Sequence, residues 1–154
     1  MAKSKFTITH EDKEMLDLVS QTDQKTLALW AIDCAGRVLP YFEEKFPADN
    51  RPRQAIETLK TWLDTGIFKM ALIRQASLDA HAAAREVGAD TPARSAARAA
   101  GQAVATAHVP RHAYGPAIYA QQAIYRATNP PDAPAAAAQE RDWQYQHLLE
   151  LREN

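Results

Sequence analysis

The stretch that decides the fold class is Leu27-Ala28-Leu29-Trp30-Ala31-Ile32-Asp33-Cys34-Ala35-Gly36-Arg37-Val38. Leu27, Trp30, Ala31, Cys34, Ala35 and Val38 fall at i, i+3, i+4, i+7, i+8 and i+11, the spacing of one buried face of an α-helix. Thr22 or Asp23 is placed to start this helix. Pro40 predicts either its end near Gly36 or the opening of a short new helix through Tyr41 to Phe46. Asp33 and Arg37 sit at i,i+4 beside the stripe, where side chains of opposite charge can pair.

The same signals repeat in both directions. Thr9, followed by Glu11, Asp12 and Glu14, reads as an N-cap and an acidic first turn for a helix from about His10 to Ser20. Asp49 or Asn50 and then Pro52 open a helix that carries Ala55, Ile56, Leu59, Trp62 and Leu63 on one face, with Gly66 as its stop. A helix from about Phe68 to Val87 ends at Gly88. Asp90-Thr91-Pro92 starts one that runs to Val109, another spans roughly Arg111 to Ala127, and after Asn129-Pro130-Pro131 a last one ends near Arg152. Alanine occurs 31 times against 12 Val plus Ile, a balance that favours helix over strand. The expected architecture is all-α: a single compact bundle of about seven or eight helices with short loops. It forms one domain over 1–154 with its core at about 10–152.

Composition removes several function classes. The net charge is -1 and there is one cysteine, so neither a nucleic-acid binder nor a disulfide or Cys-based zinc scaffold is expected. Mean hydropathy is -0.44, and no long uncharged apolar run suggests a membrane span. The start, MAKSKFTITHEDKEML, lacks the apolar segment of a secretory signal, and the expected compartment is the cytoplasm.

Few residues nominate chemistry. Cys34 lies within an apolar stripe, where a thiol is a small hydrophobe. No nucleophile elbow, phosphate loop or dinucleotide fingerprint is present, and no catalytic residue or cofactor is assigned. His108 and His112 are four apart with Pro110 between them, and His81 lies on the preceding long helix. Together they are the candidate metal or small-molecule site of a helical-bundle enzyme. The helix beginning at Pro92 has an alanine side (Ala96, Ala99, Ala100, Ala103, Ala107) and an opposite side bearing Arg94, Arg98, Gln102 and His108. That polar side is either solvated or recognises a partner. Trp30 and Trp62 read as core, and Tyr114, Tyr119 and Tyr125 spread around their helix.

Several phrases occur together: LWAIDCAGRVLPYFE, RPRQAIETLKTWL, AHAAAREV, AARAAGQAVATAHVPRHA and ERDWQYQHLLEL. In this order, from Leu27 to Leu151, they resemble the helical "putative immunity protein" family of bacterial polymorphic-toxin systems, the immunity-five-like group. The resemblance implies an all-α bacterial protein that binds and neutralises a cognate toxin, with no catalytic set. The chain departs from the family pattern at Gln102, where a histidine is frequent. Among the matching polar positions, Asp33, Arg37, Arg53 and Arg85, with Arg94 and Arg98 beside them, form either a buried network or a pocket. The partner expected is a toxin protein, with neither nucleic acid nor membrane. Self-association through the alanine faces is a third reading.

Overall fold

The structure is a computed structural model that describes Phe6 and residues 12–154. Among the described residues there are seven α-helices and no strand: α1 (Lys13–Ser20), α2 (Gln24–Glu43), α3 (Arg51–Thr65), α4 (Met70–Val87), α5 (Pro92–Ala105), α6 (Tyr114–Ala127) and α7 (Ala133–Glu153). A 3₁₀ turn, Pro110–Ala113, precedes α6. The all-α bundle expected from the sequence is the one observed.

Caps and glycine stops set four of the boundaries. Asp12 Oδ1 accepts from the Met15 amide at 3.2 Å and starts α1; the Thr9 cap lies outside the described residues. Asp23 caps α2 through the Thr26 amide at 3.1 Å. Gly66 (φ 69°) and Gly88 (φ 80°) stop α3 and α4 in the left-handed conformation, as their positions predict.

Two boundaries differ from expectation. Helix α2 runs through Pro40 to Glu43. Pro40 is exposed, and so is Gly36, whose carbonyl the proline ring approaches. The missing amide therefore leaves one acceptor on the solvent side, while burial of Val38, Leu39 and Phe42 carries the helix onward. Helix α5 ends at Ala105, four residues short of Val109. Gln24 Nε2 donates to the carbonyls of Thr106 and Ala107, at 3.0 Å each, and satisfies that end. His108 and His112 therefore do not share a helix, and α6 begins at Tyr114.

Helix α5 is the centre of the bundle, packed on α2, α3, α4 and α6. Ala96, Ala97, Ala99, Ala100 and Ala103 are all fully buried. Small side chains let four helix backbones approach this one closely. At Gly101 a neighbouring side chain occupies the space a Cβ would need: that Cβ would lie 2.7 Å from His81 Nε2. Helix α7 is held differently. The buried Gln144 joins three helices: its carbonyl accepts from Trp30 Nε1, its Oε1 from Gln121 Nε2, and its Nε2 donates to the Ala117 carbonyl, each at 2.9 Å. No described helix is long and apolar enough to cross a membrane.

Candidate functional site

Three of the sequence candidates, Asp33, Arg37 and Arg53, meet at one cleft of about 420 Å³ between α2, α3 and α7. Its apolar floor is Ile32, Leu39 and Ile56, with Gly36 adding no side chain, and Trp143, His147 and Lys60 complete the walls. Helix α2 brings Asp33, Gly36 and Arg37 to this side by their i, i+3, i+4 spacing.

Asp33 and Arg37 do not pair with each other as their spacing suggests. Each finds a better partner across the interface on α7. Arg37 donates through Nε and Nη2 to Glu140 at 2.9–3.1 Å. The Glu140 side chain is 2% exposed and that of Arg37 42%. Fork geometry on a carboxylate this deep outweighs an exposed i,i+4 contact. The Arg37 guanidinium also lies 3.7 Å from the centre of the Trp143 ring. Trp143 in turn stacks on His147 at 4.6 Å, and His147 Nε2 donates to Asp33 Oδ2 at 2.7 Å. Arg53 donates to Glu43 at 2.6 and 2.9 Å, and this hydrogen bonding holds the Glu43 carboxyl below its ordinary value.

The remaining candidates lie elsewhere. Arg94 donates to the Ala84 carbonyl and to Asp90. Arg98 Nη1 donates to His81 Nδ1 at 3.2 Å. Since arginine can only donate, the neutral His81 ring carries its proton on Nε2. The polar side of α5 is thus half-buried against α4 instead of solvated. Arg85 is exposed near the end of α4. His112 Nδ1 donates to Gln102 Oε1 at 3.2 Å, and His108 stacks on Phe68. Among the described residues no three His, Cys, Asp or Glu side chains are grouped to hold a metal ion. Burial pushes the Cys34 thiol well above its usual value, so it is held as the uncharged thiol.

A second surface feature carries little charge. Helices α3 and α4 enclose a groove of about 430 Å³ with Trp62, Ile67, Leu72 and Ile73 among its lining. Thr58, Thr61 and Thr65 also line it, but each hydroxyl donates to the carbonyl four residues before it. In this lining Ile67 is 62% exposed and Leu72 58%; Phe68 instead stacks on His108, and Leu78, six residues on from Leu72, falls about 120° around α4. Two large exposed apolar side chains along one groove offer a partner apolar area to bury.

Glu140, Trp143, His147 and Lys60 were not among the sequence candidates. A signal for three of them exists. Glu140, Trp143, Gln144 and His147 are spaced i, i+3, i+4, i+7, so they share one face of α7. Such a face does not read as an apolar stripe, because three of its four side chains are charged or polar.

The comparisons with known proteins follow the same span. A sequence model of the family described as Imm-5 like putative immunity protein matches residues 17–151. Neither the comparison with curated proteins nor that with solved structures returns a match.

Proposed function

The chain belongs to the Imm-5 like putative immunity protein family, and from that membership we propose that it binds a cognate bacterial toxin and neutralises it by occupying its surface, without chemistry of its own. The setting of that reading is the bacterial cytoplasm, where the toxin's producer needs protection.

The observation that carries it is the α3–α4 groove with Ile67 and Leu72 exposed along its lining. Such a groove supports a contact face for another protein. Fully burying a Leu or Ile contributes about 1.5–3 kcal/mol, and roughly half that is available where half the side chain is already covered. Ile67 and Leu72 together therefore account for about 1.5–3 kcal/mol, or between about tenfold and about 150-fold in affinity.

The test is co-expression of the chain with the toxin encoded beside it, followed by calorimetry on the purified pair. A stoichiometric complex and rescued growth are expected. Changing Ile67 and Leu72 together to Glu is expected to weaken the complex by about a hundredfold while helix content stays unchanged. Unchanged affinity moves the contact to another face. Absence of both complex and rescue removes the toxin-binding function itself.

A further inference from the structure

The cleft between α2, α3 and α7 has features a protein-contact face does not require. Its volume of about 420 Å³ lies within the range of small-molecule sites. Its floor is open at Gly36, where an added Cβ would meet no atom within 4 Å. Glycine inside an exposed stretch of helix destabilises by about 1 kcal/mol relative to alanine, and no packing contact requires it here.

The charges at this cleft are arranged by side. Arg37, Arg53 and Lys60 line it, while the carboxylates that pair with them, Glu140, Glu43 and Glu57, are not among its lining residues. Each ion pair is a dipole with its positive end toward the cleft. Arg37 and Arg53 both spend Nε and Nη2 on their carboxylates, and in both Nη1 has no hydrogen-bond partner among the described residues. Asp33 is the one carboxylate in the lining, and its Oδ2 is already engaged by His147.

We propose that this cleft binds a small organic oxyanion, a carboxylate or phosphate monoester on a short apolar body, with Arg37, Arg53 and Lys60 holding the head and the floor at Gly36 taking the body. An arginine Nη1 presented beside a lysine ammonium suits either head group. The open space at Gly36 and the partly exposed Trp143 ring accommodate an organic body that an inorganic ion does not have. This site is independent of the toxin-binding reading, and the purified chain alone tests it.

The probes are benzoate and phenyl phosphate, with benzamide as the uncharged control, followed by amide and indole NMR shifts. Saturable shifts centred on the Gly36 amide and the Trp143 indole are expected for the two anions. Benzamide is expected to bind about tenfold more weakly. A Cβ at Gly36 meets no neighbour within 4 Å, so Gly36→Leu has room to enter the cleft; it should abolish saturable binding and leave thermal stability equal or higher. Arg53→Gln with Lys60→Gln, both at the exposed rim, should weaken the anions by about tenfold and leave benzamide unchanged. Shifts that never saturate, equal affinity for benzoate and benzamide, or anion binding that survives Gly36→Leu would each overturn the proposal.

Discussion

Helices α5 and α7 are both necessary to the bundle, and they are held by opposite means. Helix α5 is enclosed on four sides by other helices and presents alanine to them. Its stability comes from dispersion and from excluding water along a close-packed surface. Helix α7 buries few large apolar side chains, with Leu148 the main one. It is tied by Gln144 to α2 and α6, by Glu140 to Arg37, and by Arg141 to Asp12 and Glu14 on α1. The hydrogen bonds from Arg141 hold the Asp12 carboxyl below its ordinary value. One helix is therefore sensitive to volume and the other to loss of a polar partner.

The largest effect should come from breaking the α7 tie on its exposed side. Arg37→Ala leaves the Glu140 carboxylate buried without its counter-charge, at a cost of about 3 kcal/mol. Removing the buried partner is milder, because Arg37 is already 42% exposed and can turn to water. Glu140→Ala should therefore cost only about 1–2 kcal/mol. Urea unfolding of the two variants checks the order. If Glu140→Ala costs as much as Arg37→Ala, the carboxylate is not what makes this tie sensitive.

On α5 the sensitivity is to one methyl group. Gly101→Ala gains about 1 kcal/mol in helix propensity. It also drives the new Cβ against the His81 ring, which sits 2.7–3.0 Å from that position. Overpacking of this kind costs about 1–3 kcal/mol, so a net loss of about 1 kcal/mol is expected. In a His81→Ala background the ring is gone, and the same substitution should stabilise by about 1 kcal/mol. The sign reversal, read from a double-mutant cycle, is the diagnostic. A loss of equal size in both backgrounds would place the strain elsewhere.

This contrast also decides what was readable in the sequence. The faces of α2, α3 and α5 are apolar or alanine-rich at helical spacing, and their caps and glycine stops are local signals, so those helices were legible. Pro40 misled because whether a proline ends a helix depends on burial further along, which is a tertiary fact. At the cleft, Asp33, Arg37 and Arg53 were legible as polar positions close to apolar stripes. The partners of Asp33 and Arg37 were not, because His147 and Glu140 lie more than a hundred residues away and nothing local marks a pairing across two helices. The contact suggested by spacing, Asp33 with Arg37, lost to both of those distant ones.

The smallest expected effect concerns the side of α5 that does carry a polar contact. Burial, with Arg98 and then Arg85 beside it, holds the His81 imidazole below its ordinary 6.5. Protonating Nδ1 would set a second cation against Arg98 at 3.2 Å. In the unfolded chain the ring takes its proton near 6.5; in the folded chain it does so only at lower pH. Between those values the unfolded state binds more protons, so stability falls as pH drops below 6.5 and levels off once the folded ring is protonated too. His81→Gln keeps an acceptor for Arg98 and removes the titration. The pH dependence of the urea midpoint should therefore be flatter in this variant than in the parent between about pH 5.5 and 7. Asp12, Glu43 and Asp49, held below the ordinary carboxylate value by their arginine partners, affect both proteins alike. Identical slopes would mean that the α4–α5 seam opens enough to hydrate His81, and that the packing around α5 is looser on its polar side than on its alanine side.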